Sequence, residues 1–74
     1  MPLPEFSAVR LKTDQYLSEG VGRGSIGFIL DREDTGYFVE FSRPDGTTIA
    51  LLFLEPSDVE PAPEVMPSSE HLTV

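Results

Sequence analysis

The segment Pro44-Asp45-Gly46 constrains the fold most, because it lies between two runs rich in β-branched and aromatic residues. Proline and aspartate suit the central positions of a type I turn, and a following glycine adopts the left-handed conformation easily. A two-residue Asp-Gly loop is the alternative, but it places Pro44 where a strand N–H is needed. The segment therefore favours a hairpin with a three-residue loop, between strands 36–42 and 47–54.

This loop predicts the register of the hairpin, with Arg43 opposite Thr47. Directly opposite residues share a face of the sheet. One face then contains only apolar and aromatic residues, and we expect it to form the core: Tyr37, Val39, Phe41, Ile49, Leu51 and Phe53. The other face is mixed, and it places Phe38 near Ala50, Leu52 and Leu54.

The rest of the body also reads as short strands separated by glycine-containing loops. Residues 8–12 alternate, with Val9 and Leu11 on one face, and residues 25–31 are rich in apolar residues. Residues 14–24 are polar and contain three glycines, so they predict a long loop, with Tyr16, Leu17 and Val21 as candidate anchors. Residues 31–36 predict a turn. The pattern predicts an all-β fold.

The chain has 74 residues and no cysteine, so it is near the lower size limit for independent folding and has no disulfides to help it. A structural zinc site needs several Cys or His ligands, and His71 is the single histidine. Self-association is the remaining common aid. We therefore expect a homo-oligomer.

The balance of 5 basic and 13 acidic residues gives a net charge of −8, which argues against nucleic acid and suits a basic protein partner. The N-terminus lacks the basic start and apolar run of a signal peptide. The longest apolar run, residues 49–54, is much too short to span a membrane. A cytoplasmic protein with no membrane partner is expected.

Composition changes at Glu55. Residues 55–74 contain four prolines, five acidic residues and no lysine or arginine, which is typical of an extended tail. We therefore expect a β-barrel domain over residues 1–54 and an acidic, proline-rich C-terminal tail over residues 55–74. The apolar residues Val65 and Met66 suit packing against the chain's own barrel or a neighbouring subunit.

Three segments together resemble a family of short bacterial proteins of unknown function: Gly24-Ser25-Ile26-Gly27-Phe28-Ile29, Tyr37-Phe38-Val39-Glu40-Phe41 and the run from Asp45 to Leu54. The family's pattern is Gly-Asp-x-Gly-Thr-Val, Tyr-Glu-Val-Glu-Phe and Asp-Gly-x-Thr-Ile-Ala-Leu-Leu-Thr-Leu. The likeness covers about residues 8–60. It implies a small SH3-like, partly open β-barrel of about five short strands, and it implies no activity or catalytic residues.

The chain departs from this pattern at three positions, where Phe28, Phe38 and Phe53 replace Thr, Glu and Thr. Each change exchanges a polar residue for an aromatic one, which favours an interface specific to this chain. The predicted register places Phe53 in the core, so the predicted partner or oligomer interface combines the other two positions with the outer face and the tail: Phe28, Phe38, Ala50, Leu52, Leu54, Val65 and Met66.

The motifs that suggest chemistry are weak. Residues 22–27 match G-x-G-x-x-G, but a dinucleotide site needs a helix after the motif, and residues 28–31 have strand character. Asp31, Glu33 and Asp34 lack the spacing of a calcium loop. His71 has no nucleophile or carboxylate that the sequence places beside it. No catalytic residue, cofactor site or metal site is predicted.

Two functions remain open at this point. The first is a non-enzymatic protein-interaction module that self-associates and binds a protein partner through a sheet face, its acidic surface or its tail. The second is a small-molecule binder or enzyme whose pocket forms between subunits, lined by Tyr16, Tyr37 and an arginine. The absence of a catalytic constellation in the sequence favours the first.

Overall fold

The computed structural model describes residues 7–63. The strands are β1 (Ala8–Leu11), β2 (Ile26–Glu33), β3 (Gly36–Ser42), β4 (Thr48–Leu54) and β5 (Val59–Pro61). They form one antiparallel sheet in the order β4-β3-β2-β1-β5. A long loop containing the 3-10 turn Leu17–Glu19 follows β1, and the 3-10 turn Pro56–Asp58 precedes β5. This confirms the all-β prediction and is consistent with a small, partly open SH3-like barrel.

Strand β2 joins the two halves of the sheet. Its first residues pair with β1, whereas residues from Phe28 onward pair with β3. The backbones come close together here, because a Cβ atom added at Gly27 would lie 2.6 Å from a methyl carbon of Val39 and 2.9 Å from the carbonyl oxygen of Glu40. Glycine is therefore the residue that this crossing accommodates.

The core is built from inward side chains of all five strands, and it includes Val9 and Leu11, as the alternation in β1 predicts. Its most fully buried large side chains are Phe41, Leu11, Ile29, Leu54, Val9 and Val39. Val21 anchors the long loop in this core and Tyr16 packs partly against it. Leu17, in contrast, is 62% exposed, so its predicted anchoring role is wrong.

The predicted three-residue turn is confirmed. The Arg43 N–H donates to the Thr47 carbonyl at 2.8 Å, and the Gly46 N–H donates to the Arg43 carbonyl at 2.9 Å. Gly46 has φ of +92°, the left-handed conformation that this loop requires. The register next to the turn, with Ser42 opposite Thr48, is also as predicted.

The predicted register fails one residue further along β4. Phe41 pairs with Ala50, so Ile49 is the extra residue of a β-bulge. Because side chains alternate between faces, one extra residue sends the rest of the strand to the opposite face. Leu51 and Phe53 therefore lie on the outer face, not in the core, while Tyr37, Val39 and Phe41 are buried as predicted.

The structure also changes two predicted boundaries. β2 continues to Glu33, so the turn before β3 consists of Asp34 and Thr35 rather than residues 31–36. Strand pairing extends past residue 54, because β5 pairs with β1 and Val59 is buried. Residues 55–61 thus belong with the sheet, and the predicted division after residue 54 falls inside the folded unit.

Candidate interaction surface

Three large apolar side chains lie together on the outer face of β3 and β4, and we call them the outer patch: Phe38, Leu51 and Phe53. Phe38 and Phe53 are directly opposite each other, with ring centroids 5.0 Å apart and an edge-to-face angle of 63°. The exposed fractions are 37% for Phe38, 40% for Phe53 and 57% for Leu51. We take this contiguous exposed group as the candidate interaction surface.

The next row of the same face is partly polar. Phe28 and Leu51 lie on either side of Glu40, which pairs with both. The carboxylate of Glu40 accepts a hydrogen bond from the Thr48 hydroxyl at 2.5 Å. This bond directs the single carboxylate of β3 along the strand toward the hairpin end, away from the Phe38–Phe53 pair.

The predicted interface residues are divided by the structure. Phe38 and the half-buried Phe28 lie on the outer face, where the proposed interface needs them. Ala50 and Leu54 are buried, and Leu52 packs against the core, because the bulge at Ile49 turns them inward; placing them beside Phe38 was wrong. Val65 and Met66 lie outside the described residues.

Sequence reasoning missed Leu51 and Phe53 as outer residues. A signal was present in the family pattern expected from the sequence, which has Glu at position 38 and Thr at position 53. Polar residues at both positions are typical of an exposed cross-strand pair. Those two positions face each other in the structure, and the chain fills both with phenylalanine.

Strand β4 is also unusual in its charge and position. It ends the sheet, with β3 as its neighbour on one side and no strand of residues 7–63 on the other. Its sequence, Thr-Ile-Ala-Leu-Leu-Phe-Leu, contains no charged residue and no proline. Within residues 7–63, each of the other strands carries at least one charged side chain. β4 therefore presents an apolar free edge beside the outer patch.

The glycine-rich segment 22–27 is occupied by contacts within the protein. The Gly22 N–H donates to the Ser25 hydroxyl at 3.1 Å, and the Arg23 N–H donates to a carboxylate oxygen of Asp14 at 2.8 Å. The guanidinium of Arg23 donates to the Lys12 carbonyl at 2.6 Å. The segment leads into β2, so it lacks the helix N-terminus that a dinucleotide site uses.

The other chemical candidates do not converge. Asp31, Glu33 and Asp34 are exposed, and residues 7–63 hold no cluster of three or more metal-ligating side chains. His71 lies outside the described residues. Burial raises the pKa of the Tyr16 phenol, with smaller contributions from the carboxylates of Asp58 and Glu55.

The two tyrosines proposed to line a small-molecule pocket have different surroundings. Tyr37 is a core residue and Tyr16 packs at the margin of the core. Burial and then the negative charges of Asp58 and Glu55 raise the pKa of the Tyr16 phenol. The arrangement is that of a loop anchor near an acidic turn.

None of the helical turns described between residues 7 and 63 has the length and apolar character needed to cross a membrane. Comparisons of the chain with protein-family models, with curated proteins and with solved structures find no match. The proposed function therefore depends on two surface features, the outer patch and the free edge of β4.

Proposed function

We propose that this protein is a cytoplasmic, non-enzymatic interaction module that self-associates through the outer patch. The observation that carries the proposal is the exposed Phe38–Phe53 pair with Leu51 beside it. Aromatic residues are enriched at the centres of protein interfaces, where they combine large contact area with few rotatable bonds. In an acidic chain, such an exposed aromatic pair favours contact with another protein over contact with water.

The size of the patch sets the expected strength of association. Its three side chains expose about 250 Å² together, on the scale of 150–250 Å² for one fully buried aromatic residue. A standard interface buries about 800 Å² on each partner. Contacts through this patch are therefore expected to be weak and concentration-dependent. The net charge of −8 makes a basic protein the favoured class of additional partner.

Sedimentation velocity of the intact chain over a range of concentrations tests the proposal. We expect the weight-average mass to rise above 8.2 kDa as concentration increases. Leu51→Glu places a charge within the patch and should abolish this rise. The matched control is Leu17→Glu, which makes the same chemical change at a residue that is 62% exposed and lies outside the patch.

A mass that stays at 8.2 kDa up to millimolar concentration would overturn self-association. Equal effects of the Leu51 and Leu17 substitutions would show that added charge alone disperses the chains. Either result would remove the patch from the proposed function.

A further inference from the structure

The free edge of β4 is open to a further strand. Edge strands expose unpaired N–H and C=O groups, and proteins usually protect them with prolines, charged residues or short length. β4 has seven residues, none of them proline or charged, and the Arg43 guanidinium contacts its start by donating to the Thr48 carbonyl at 3.2 Å. Its bulge lies near its start, at Ile49, so the stretch from Ala50 to Leu54 keeps regular pairing with β3.

Charge indicates what can occupy this edge. Two copies of a chain with net charge −8 repel each other. Contact between the same surface of two copies is therefore least unfavourable where that surface has no charged side chains. β4 is the strand of residues 7–63 that meets this condition. A basic peptide would form no ion pairs with the side chains of an uncharged strand. The charge pattern therefore favours a second copy over a basic partner at this edge.

Area supports the same occupant. The outer patch alone supplies under half of the area that a standard interface buries on each partner. Strand pairing adds main-chain hydrogen bonds along the strand and brings the two patches side by side on one face. Strand pairing at the β4 edge thus adds the contact area and hydrogen bonds that the outer patch alone does not provide.

We propose, on the basis of the self-association proposed above, that two copies pair antiparallel along β4 and form one continuous sheet across a two-fold axis. Within the regular stretch Ala50–Leu54, a two-fold axis at Leu51 places Leu51 opposite its own counterpart and Ala50 opposite Leu52 of the second copy. Leu51 is also the most exposed side chain of the patch, so its burial against its counterpart removes the most apolar surface.

Cysteine cross-linking tests this geometry directly, because the chain contains no native cysteine. Directly opposite residues in an antiparallel pair have Cα atoms about 4.5–5.5 Å apart, within the range that a disulfide spans. Leu51→Cys should therefore form a disulfide-linked dimer on incubation with oxidised glutathione, which accepts the two thiol electrons. Thr48→Cys places the two thiols about 20 Å apart along the strands and should not cross-link. Leu17→Cys is the control for random collision.

Amide hydrogen exchange by NMR supplies a second measurement on the unmodified chain. Edge pairing should slow exchange at the alternate β4 amides that point away from β3, and protection should increase at least tenfold between dilute and concentrated samples. Packing of the two patches face to face would leave these amides unprotected at every concentration.

The outcomes separate the two proposals. A concentration-dependent dimer that shows neither selective cross-linking at position 51 nor protection of the β4 edge would overturn the edge pairing and leave self-association standing. Absence of any dimer would overturn both. Selective cross-linking together with edge protection would establish the continuous sheet.

Discussion

The two edges of the sheet differ in nearly every property that controls strand pairing. β5 has three residues, ends at Pro61 and carries Glu60, which forms an ion pair of 3.2 Å with Arg10 on the neighbouring strand. β4 has seven residues with neither charge nor proline, and it carries two of the exposed side chains of the outer patch. β5 is thus closed to further strands, and β4 is open to them.

The β5 edge is also joined more firmly to its surroundings. Before it, the turn Pro56–Asp58 is fixed by a reciprocal capping box between Glu55 and Asp58. The Lys12 N–H donates to the Asp58 carbonyl at 2.8 Å and the Ala62 N–H donates to the Ala8 carbonyl at 3.0 Å. The contrast indicates that β5 completes the fold, whereas the exposed side of β4 contributes to association.

The largest expected effect comes from removing β5. A chain that ends at residue 54 loses the burial of Val59 and Ala62 and exposes the β1 edge, including Leu11. We expect a loss of about 5 kcal/mol, comparable with the whole stability of so small a domain, and therefore an unfolded chain. Circular dichroism and the dispersion of the NMR spectrum measure this.

A chain that ends at residue 63 is the matched control for this truncation. It retains all five strands of the sheet, and we expect it to remain folded. A folded chain of residues 1–54 would show that β5 is dispensable and would restore the division predicted from composition.

The next effect distinguishes the two faces of β4. Leu54→Ala should cost about 2–5 kcal/mol, because Leu54 is fully buried and its truncation leaves a cavity. Leu51→Ala should change stability by no more than about 0.5 kcal/mol, because its side chain is mostly exposed. Urea unfolding of dilute samples compares the free energies of unfolding of the two variants without a contribution from association.

Leu54→Val keeps the comparison measurable if Leu54→Ala does not fold, with an expected loss of about 1 kcal/mol. The register without a bulge predicts the reverse order, since it buries Leu51 and exposes Leu54. A larger loss at Leu51 than at Leu54 would therefore contradict the register described here.

Local sequence signals predict the hairpin well, but they fail where a contact between distant residues determines which face a side chain occupies. The Pro-Asp-Gly turn, the limits of β3 and the burial of Val9 and Leu11 follow from turn chemistry and alternation. The bulge does not, because residues 49–54 are all apolar and both faces of β4 look equally suited to a core. Phe53 lies on the outer face opposite Phe38, and this pairing involves β3, so the sequence of β4 alone does not reveal it.

The C-terminal strand was missed for a related reason. Residues 55–63 contain three prolines, which is typical of a tail, yet β5 uses only the short interval from Val59 to Pro61. Its partner is β1, and Glu60 lies opposite Arg10 at a sequence separation of 50 residues. A three-residue strand carries little local signal, so its position follows from tertiary pairing rather than from composition.

The smallest expected effect is a pH dependence at the turn from which β4 begins. The Thr47 N–H and hydroxyl donate to the Asp45 carboxylate at 2.9 and 2.7 Å, and these bonds lower the pKa of Asp45 below its usual value of 3.8. Because the folded-state pKa is the lower one, the bonds stabilise the fold above about pH 4 and this contribution is lost as pH falls through the folded-state pKa.

Asp45→Asn keeps an oxygen acceptor but removes the charge, so the stability difference between the native chain and this variant should narrow as pH falls below 4. Asp34→Asn, in the other hairpin turn, controls for the loss of one negative charge from an acidic chain. Urea unfolding from pH 7 to pH 3 gives the comparison. A difference that stays constant over this range would show that the Thr47 bonds do not depend on the charge of Asp45.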